Sequence, residues 1–449
     1  MKKASIKLFL ALLYYAMVIS SCKREEELPT PNPVATNYSA EEKKQNNNDV
    51  PIAWMDMMTK LIKTTPGYTP PVASRALGYA GVALYEATVN GSGNMQSIAS
   101  QIGMPAVAAP TAQYTKWFAA ANACMAQTMR NFFPGTSTAN KASIDSLELY
   151  FHNLHLAAWS NFLILTSEAY GKSVADHVYN WSMTDAVGHE GYLKNNDPNF
   201  VPLSGLGMWV PTPPAYAAPM QPHWGDVRPF VAINPFVVVP NPPSYSTATN
   251  SLYYIQAMEV YNTKNNLTPA QINIALYWAD GAGTLTPPGH SMQIASQVIR
   301  KSNSDLFTSA MVFAKVGMAV CDAFIHCWKV KYTYSTMRPV TFIQQHIDAN
   351  WTPLITTPPF PEYTSGHSTQ SGAAARILSD IYGYNYSFVD HSKVPDGFQP
   401  RWFSNFMSFA NEAALSRLYG GIHFTAANEN GKICGEQIAA NIGKLDFYK

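Results

Sequence analysis

Charge is scarce in this chain and of no dominant sign: 30 Lys+Arg stand against 29 Asp+Glu in 449 residues, a formal +1. Without a field of one sign, and without a nucleic-acid-binding motif, the chain has no expected nucleic-acid partner and no basic surface for an anionic membrane. Cysteine is nearly absent too, five in all, and no CxxC or Cys/His spacing points to zinc. Apart from Cys22, the remaining four (Cys124, Cys321, Cys327 and Cys434) are expected to be buried free thiols; Cys321 and Cys327, six apart on a helical segment, would face different ways. Apolar residues, by contrast, are plentiful. At 47% hydrophobic, the chain is too apolar to be disordered and long enough for one large core or two packed bundles. Its 32 prolines suggest rigid, ordered connections rather than a flexible linker.

The first 22 residues read as an export signal, with Lys2, Lys3 and Lys7 as the basic start and Leu8 to Ile19 as an apolar core too short to span a bilayer stably. The Ile19-Ser20-Ser21-Cys22 ending resembles a bacterial lipoprotein signal, in which Cys22 is lipidated. Residues 23–50, opening on Lys23-Arg24-Glu25-Glu26-Glu27, read as a disordered tether. The expected location is the bacterial outer membrane, with the cell surface as an extension of that reading and the lipid anchor as the membrane contact.

From residue 51 onward a single all-α domain is expected. Apolar residues recur at helical spacing over 52–63, 72–88, 111–133, 143–159, 162–184, 251–262, 269–279, 291–303, 305–332, 369–382, 401–419 and 425–445. No stretch alternates as a strand for long. About a dozen helices in two packed helical bundles is the simplest arrangement. Asp197 to Thr249 differs: Pro-rich, aromatic and without helical period, it should be a long ordered loop whose tryptophans and phenylalanines need burial.

Three short segments, within the catalytic region 277–449, carry chemistry. Lys331 and Arg338-Pro339, if helical, lie two turns apart on one face, so two fixed cations address one anion. Ser365-Gly366-His367 supplies an N-cap serine and a glycine whose N–H can approach a ligand, a natural anion seat at a helix start. Ser416-Arg417 and His423 flank Gly420-Gly421, which should break the helix and turn both side chains toward one point. Each piece alone is an ordinary surface feature. In this order they supply three cations, a hydroxyl, an N–H and two histidines for one tetrahedral oxyanion.

Written as Lys331-x6-Arg338-Pro339, Thr364-Ser365-Gly366-His367 and Ser416-Arg417-x5-His423, these segments resemble the shared signature of the vanadium-dependent haloperoxidases and the type-2 phosphatidic acid phosphatases. Two positions depart from it. Thr364 replaces the usual proline, and Ala427 stands where many members have an Asp four residues after the last histidine; Asn428 or a backbone carbonyl could orient His423 instead. Upstream, Tyr277-Trp278-Ala279-Asp280-Gly281 with Thr286-Pro287-Pro288, Trp328-Lys329-Val330-Lys331 and Pro358-Pro359-Phe360-Pro361-Glu362-Tyr363 resemble the iodoperoxidase and chloroperoxidase branch.

The resemblance implies vanadate as cofactor, with hydrogen peroxide and halide as substrates. His423 is then the vanadium ligand. Lys331, Arg338 and Arg417 neutralise the oxyanion, and Ser365 and the Gly366 N–H bond to it. His367 is the acid–base group, and Asp280 the carboxylate that orients it. Trp328 and Phe360 match the halide wall, for iodide or bromide more than chloride. His290 and His326 are read as structural. Two other readings stay open: a phosphomonoesterase with His423 as nucleophile and His367 as acid, and a non-catalytic oxyanion-binding surface lipoprotein.

Overall fold

Thirteen α-helices, one two-stranded ribbon and short 3-10 turns make up residues 48–281 and 283–449, which the computed structural model describes. Cys22 and most of the 23–50 segment lie outside the described residues; Asp49 and Val50 already belong to the first helix.

The N-terminal half packs α1 (Asp49–Thr64), α2 (Pro70–Thr88), α3 (Trp117–Phe132), α4 (Thr138–Leu156) and α5 (Asn161–Met183). The C-terminal half contains α6 (Leu252–Asn265), α7 (Pro269–Tyr277), α8 (Thr286–Ser302), α9 (Leu306–Tyr334), α10 (Pro339–His346), α11 (Gly366–Tyr382), α12 (Phe406–Tyr419) and α13 (Thr425–Gly443). The long α9 is the common spine, with α2 against one side and α11 against another. Its start is set by Asp305, whose side chain accepts the Thr308 N–H, and its 29 residues contain no proline. It is long and apolar enough to cross a membrane, yet 94% of that apolar window is buried inside the protein, as a central core helix requires.

Small residues let the helix backbones meet. A Cβ at Gly317 of α9 would lie 2.8 Å from the Leu77 carbonyl oxygen of α2, and one at Gly435 of α13 only 1.9 Å from that of Thr369 on α11. Both glycines are required by close approach rather than by backbone conformation.

The Pro-rich stretch 197–249 is ordered irregular chain with two 3-10 turns. Trp209, Trp224 and Phe230 are buried as their apolar area demands, whereas Phe236 is exposed. The Met220 carbonyl accepts from Trp328 Nε1 and Tyr332 Oη of α9, pinning the loop over the end of the spine.

Several elements differ from the periodicity reading. Residues 401–403 do not open a helix but form β2 (Arg401–Phe403), antiparallel to β1 (Phe388–Asp390), with Phe388 opposite Phe403. Helix α12 starts only at Phe406, where Asn405 caps it through the Ser408 N–H. Helix α8 begins five residues earlier than its apolar pattern because Pro287 and Pro288 fit the first turn, where no N–H is needed. Short α10 was missed altogether. All four described cysteines are free and buried.

Candidate active site

Lys331 and Arg338 do not share a helix face. Helix α9 ends at Tyr334, Ser335 takes a left-handed φ of 46°, and Arg338 stands as the N-cap of α10. The two cations converge through the Pro358–Glu362 segment instead. Lys331 Nζ donates to the carbonyls of Pro361 (2.8 Å) and Glu362 (3.0 Å), and Arg338 Nε donates to that of Phe360 (2.8 Å). Both stand near the Phe360 ring, with Lys331 Nζ 5.0 Å and the Arg338 guanidinium carbon 4.9 Å from its centroid. Phe360 is therefore a cation–π platform as well as a wall.

Ser365 caps α11, its Oγ accepting the Ser368 N–H (3.4 Å), and Gly366 opens the helix. Thr364, in the usual proline position, ties this turn to α9: its carbonyl accepts from Cys327 Sγ. On the other side, α12 stops at Tyr419 and Gly421 adopts φ 76°, where a Cβ would press on Trp351 and Pro353 at 3.1–3.2 Å. That break turns Arg417 and His423 toward the same place, as the two glycines suggested.

His367, Arg417, His423, Gly366, Trp328 and Phe360 line one cavity of about 810 Å³, roofed partly by the Pro-rich loop around Pro213 and Pro214. Lys331, Arg338 and Ser365 are fully buried immediately behind that wall. Arg417 Nη1 lies 3.1 Å from His367 Nε2 and 3.3 Å from Nδ1, while its buried Nη2 has no hydrogen-bond partner. Trp328 stands beside Phe360, ring centroids 4.8 Å apart.

The carboxylates are the main correction to the sequence reading. Asp280 is buried and lines the cavity, but it does not hydrogen-bond to His367: Oδ2 accepts from His290 Nδ1 (2.9 Å) and Oδ1 pairs with Lys393 Nζ (2.9 Å). His290 is clamped on its other side by Asp390 (2.8 Å), which also accepts from Tyr277 Oη, and Trp278 stacks on the imidazole. Burial disfavours charge on His290, yet the two carboxylates outweigh it and raise the ring to about 9. Asp280 therefore acts on His367 as a nearby fixed charge, through space.

The carboxylate that does bond a cage histidine is Glu362, which the sequence reading passed over. Its Oε1 accepts from His423 Nδ1 (3.0 Å) and from the Phe424 N–H (2.9 Å). Ala427 is buried against Val330 and Tyr363, and its carbonyl accepts the Ser365 N–H. Asn428 meets Ser368, not His423. The available signal was a lone acidic residue in a Pro- and aromatic-rich segment immediately before Ser365.

Desolvation dominates the electrostatics. Burial lowers Lys331 to about 7, and lowers Arg338 and Arg417 each to about 10. It pushes His367 and His423 well below the ordinary imidazole value, helped by Arg417 at the first and by Arg338 and Lys331 at the second, so both rings are neutral at pH 7. To be fully charged together, Lys331, Arg338 and Arg417 need a further negative group, because burial raises the neighbouring Glu362 to about 7 and uncompensated buried charge is costly. The unpartnered Arg417 Nη2, the spare Lys331 proton and the Ser365 hydroxyl are donors suited to a tetrahedral oxyanion such as vanadate.

The chain is similar to known proteins both over this C-terminal region and over most of its length. Residues 311–445 match the family model of the VCPO second helical-bundle domain. The vanadium chloroperoxidase of Curvularia inaequalis is 34% identical over 152 residues, which cover 28% of this chain and about a quarter (25%) of that protein's length. A solved structure described as the first bacterial vanadium-dependent iodoperoxidase superimposes with a TM-score of 0.81 at 35% identity, covering 88% of this chain and 96% of that one. A bacterial vanadium-dependent chloroperoxidase in its holo form shares the fold at a TM-score of 0.66 and 14% identity, over 86% of this chain and 93% of that one.

Proposed function

This chain belongs to the vanadium-dependent haloperoxidases, and from that premise we propose that it oxidises halide with hydrogen peroxide, X⁻ + H2O2 + H⁺ giving HOX + H2O. The carrying observation is the coincidence of an anion-demanding cage with an imidazole, His423, whose Nε2 holds a lone pair.

In this reading Lys331, Arg338 and Arg417 neutralise the oxygens of vanadate, and Ser365 and the Gly366 N–H donate to them. His423 offers Nε2 to the vanadium. Bound vanadate supplies a Lewis-acidic centre that activates peroxide without changing its own oxidation state. His367, neutral at working pH, takes up the proton that peroxide sheds and returns it to the departing oxygen. Asp280, kept ionised by His290 and Lys393, adds negative charge beside His367 and Arg417 and favours their protonated forms. Phe360 and Trp328 exclude water from the halide.

An apolar wall favours the halide that costs least to dehydrate, so iodide or bromide is preferred over chloride. The 35% identical structure described as an iodoperoxidase supports the same choice. Export and lipidation at Cys22 complete the reading, placing the enzyme at the bacterial outer membrane; Cys22→Ser should release it to the soluble fraction.

The test uses vanadate-stripped protein. Orthovanadate should restore triiodide formation or bromination in the presence of peroxide. Hydrolysis of p-nitrophenyl phosphate with no halide oxidation would assign the site to a phosphomonoesterase, and phosphate binding with neither activity would make it a binding protein.

A further inference from the structure

Within that reading of His423, we infer that Glu362 is its positioning residue, supplying from the segment before α11 the carboxylate that position 427 does not. Three observations carry the assignment. Glu362 is 2% exposed, so its side chain is fixed by protein contacts alone. Its Oε1 meets His423 Nδ1 at 3.0 Å and already accepts the Phe424 N–H at 2.9 Å, so it is an accepting oxygen there and Nδ1 carries the proton. Arg338 Nη1 meets Nε2 at 3.1 Å, and a guanidinium can only donate, so Nε2 must carry the lone pair. The two neighbours thus select the same tautomer independently, and it is the one that leaves Nε2 able to bind a metal.

The residue has a second hold on the cage. Its own carbonyl accepts from Lys331 Nζ at 3.0 Å, and its N–H donates to the Thr336 carbonyl at 3.0 Å. One residue therefore fixes the ring of the vanadium ligand through its side chain and the ammonium of Lys331 through its main chain. Any shift of the 358–362 segment moves both together. Substituting the side chain alone separates the two effects, since the carbonyl contact to Lys331 survives.

The decisive measurement needs no vanadium. Nitrogen-15 shifts of His423 in the vanadate-free wild type should report the Nδ1–H tautomer, and an Nε2–H ring overturns the proposal outright. In Glu362→Gln the amide oxygen still accepts from His423, so the tautomer should persist. In Glu362→Ala the Nδ1–H loses its acceptor, the Arg338 contact alone still favours that tautomer, and the Nε2–H form should become populated. Phosphate and orthovanadate affinities, read by calorimetry, should fall about 10- to 100-fold for orthovanadate in the alanine variant and less in the glutamine variant. Phosphate makes no bond to Nε2 and should weaken less than orthovanadate. Unchanged tautomer and affinity in a folded Glu362→Ala protein sink the proposal. If the alanine variant does not fold, the wild-type and glutamine spectra decide. A protein lacking haloperoxidase activity but showing the Nδ1–H tautomer depleted in Glu362→Ala would leave this inference standing and remove only the proposed reaction.

Discussion

Arg338 Nη1 donates to His423 Nε2 across 3.1 Å, at the nitrogen that a vanadium bond requires. The two interactions exclude each other, so binding at Nε2 must transfer Arg338 from the imidazole to the oxyanion. Arg417 is placed similarly beside His367, with one buried nitrogen in reserve. Arg417→Ala should lower orthovanadate affinity at least about tenfold, the scale of a charge-assisted bond of about 1.5–3 kcal/mol. Arg338→Ala should cost less than its charge suggests, because it also removes a competitor at Nε2. Equal losses in the two variants, measured by calorimetry, would contradict that exchange.

Trp328 and Phe360 look equivalent in sequence but not in the fold. Both line the cavity, yet Phe360 has two cage cations near its ring, Lys331 at 5.0 Å and Arg338 at 4.9 Å from the centroid, whereas Trp328 has Lys331 alone, at 5.9 Å. Trp328→Ala should therefore alter apparent halide affinity and leave orthovanadate binding nearly intact. Phe360→Ala should weaken both, since desolvated cation–π contacts contribute about 0.5–2 kcal/mol each. Halide KM and orthovanadate Kd for the two variants check the split.

The buried Asp280–His290–Asp390 cluster predicts how stability depends on pH. His290 is raised from 6.5 to about 9, against burial, by its two carboxylates, so its contribution is complete below about pH 6.5 and lost as pH rises through 9. Burial opposes ionisation of Asp390 as well, but His290 lowers it to about 2, and Asp280 is held lower still. Their contribution is present above about pH 4 and lost as pH falls through 2. The cluster's contribution to stability should therefore be greatest near pH 4–6.5 and decline toward pH 9. His290→Gln should be less stable at pH 5, by on the order of 2–3 kcal/mol, and flatter above 6.5. Urea midpoints across pH test this; parallel curves would show that His290 does not titrate as argued.

Gly421 is required by backbone conformation. At φ 76° with Trp351 and Pro353 in the way of a side chain, Gly421→Ala should cost about 1–3 kcal/mol and displace Arg417 relative to His423. The expected result is a lower Tm together with weaker orthovanadate binding. A Tm loss with unchanged affinity would show that the break does not set the cage.

What could be read from the sequence was local. Ser365-Gly366-His367 makes its own helix cap, and Gly420-Gly421 breaks α12 wherever it occurs, so their outcome depended little on the rest of the chain. A shared face for Lys331 and Arg338 depended on the helix running on past Ser335, and nothing local marks Ser335 as a left-handed stop; the Gly207 and Trp209 backbone fixes that turn from the Pro-rich loop. Glu362 and His423 are 61 residues apart, and Asp280 and Asp390, bridged by His290, are farther still. Such partners are chosen by tertiary packing. The family pattern directed attention to position 427 for the first pair and to His367 for Asp280, and in both cases a residue from another element holds the place.

The excess of buried positive charge makes the cage's counter-ion a folding ligand. A species that binds the folded chain and not the unfolded one adds RT ln(1 + [L]/Kd) to stability, about 2.7 kcal/mol at a hundred times Kd. Relief of repulsion among Lys331, Arg338 and Arg417 is available to any tetrahedral oxyanion, whether or not it can do chemistry. Phosphate should thus raise the Tm by several degrees in a concentration-dependent way, and orthovanadate should raise it further by the additional bond to His423. Chloride at the same ionic strength should do neither, which separates occupancy of the cage from simple screening.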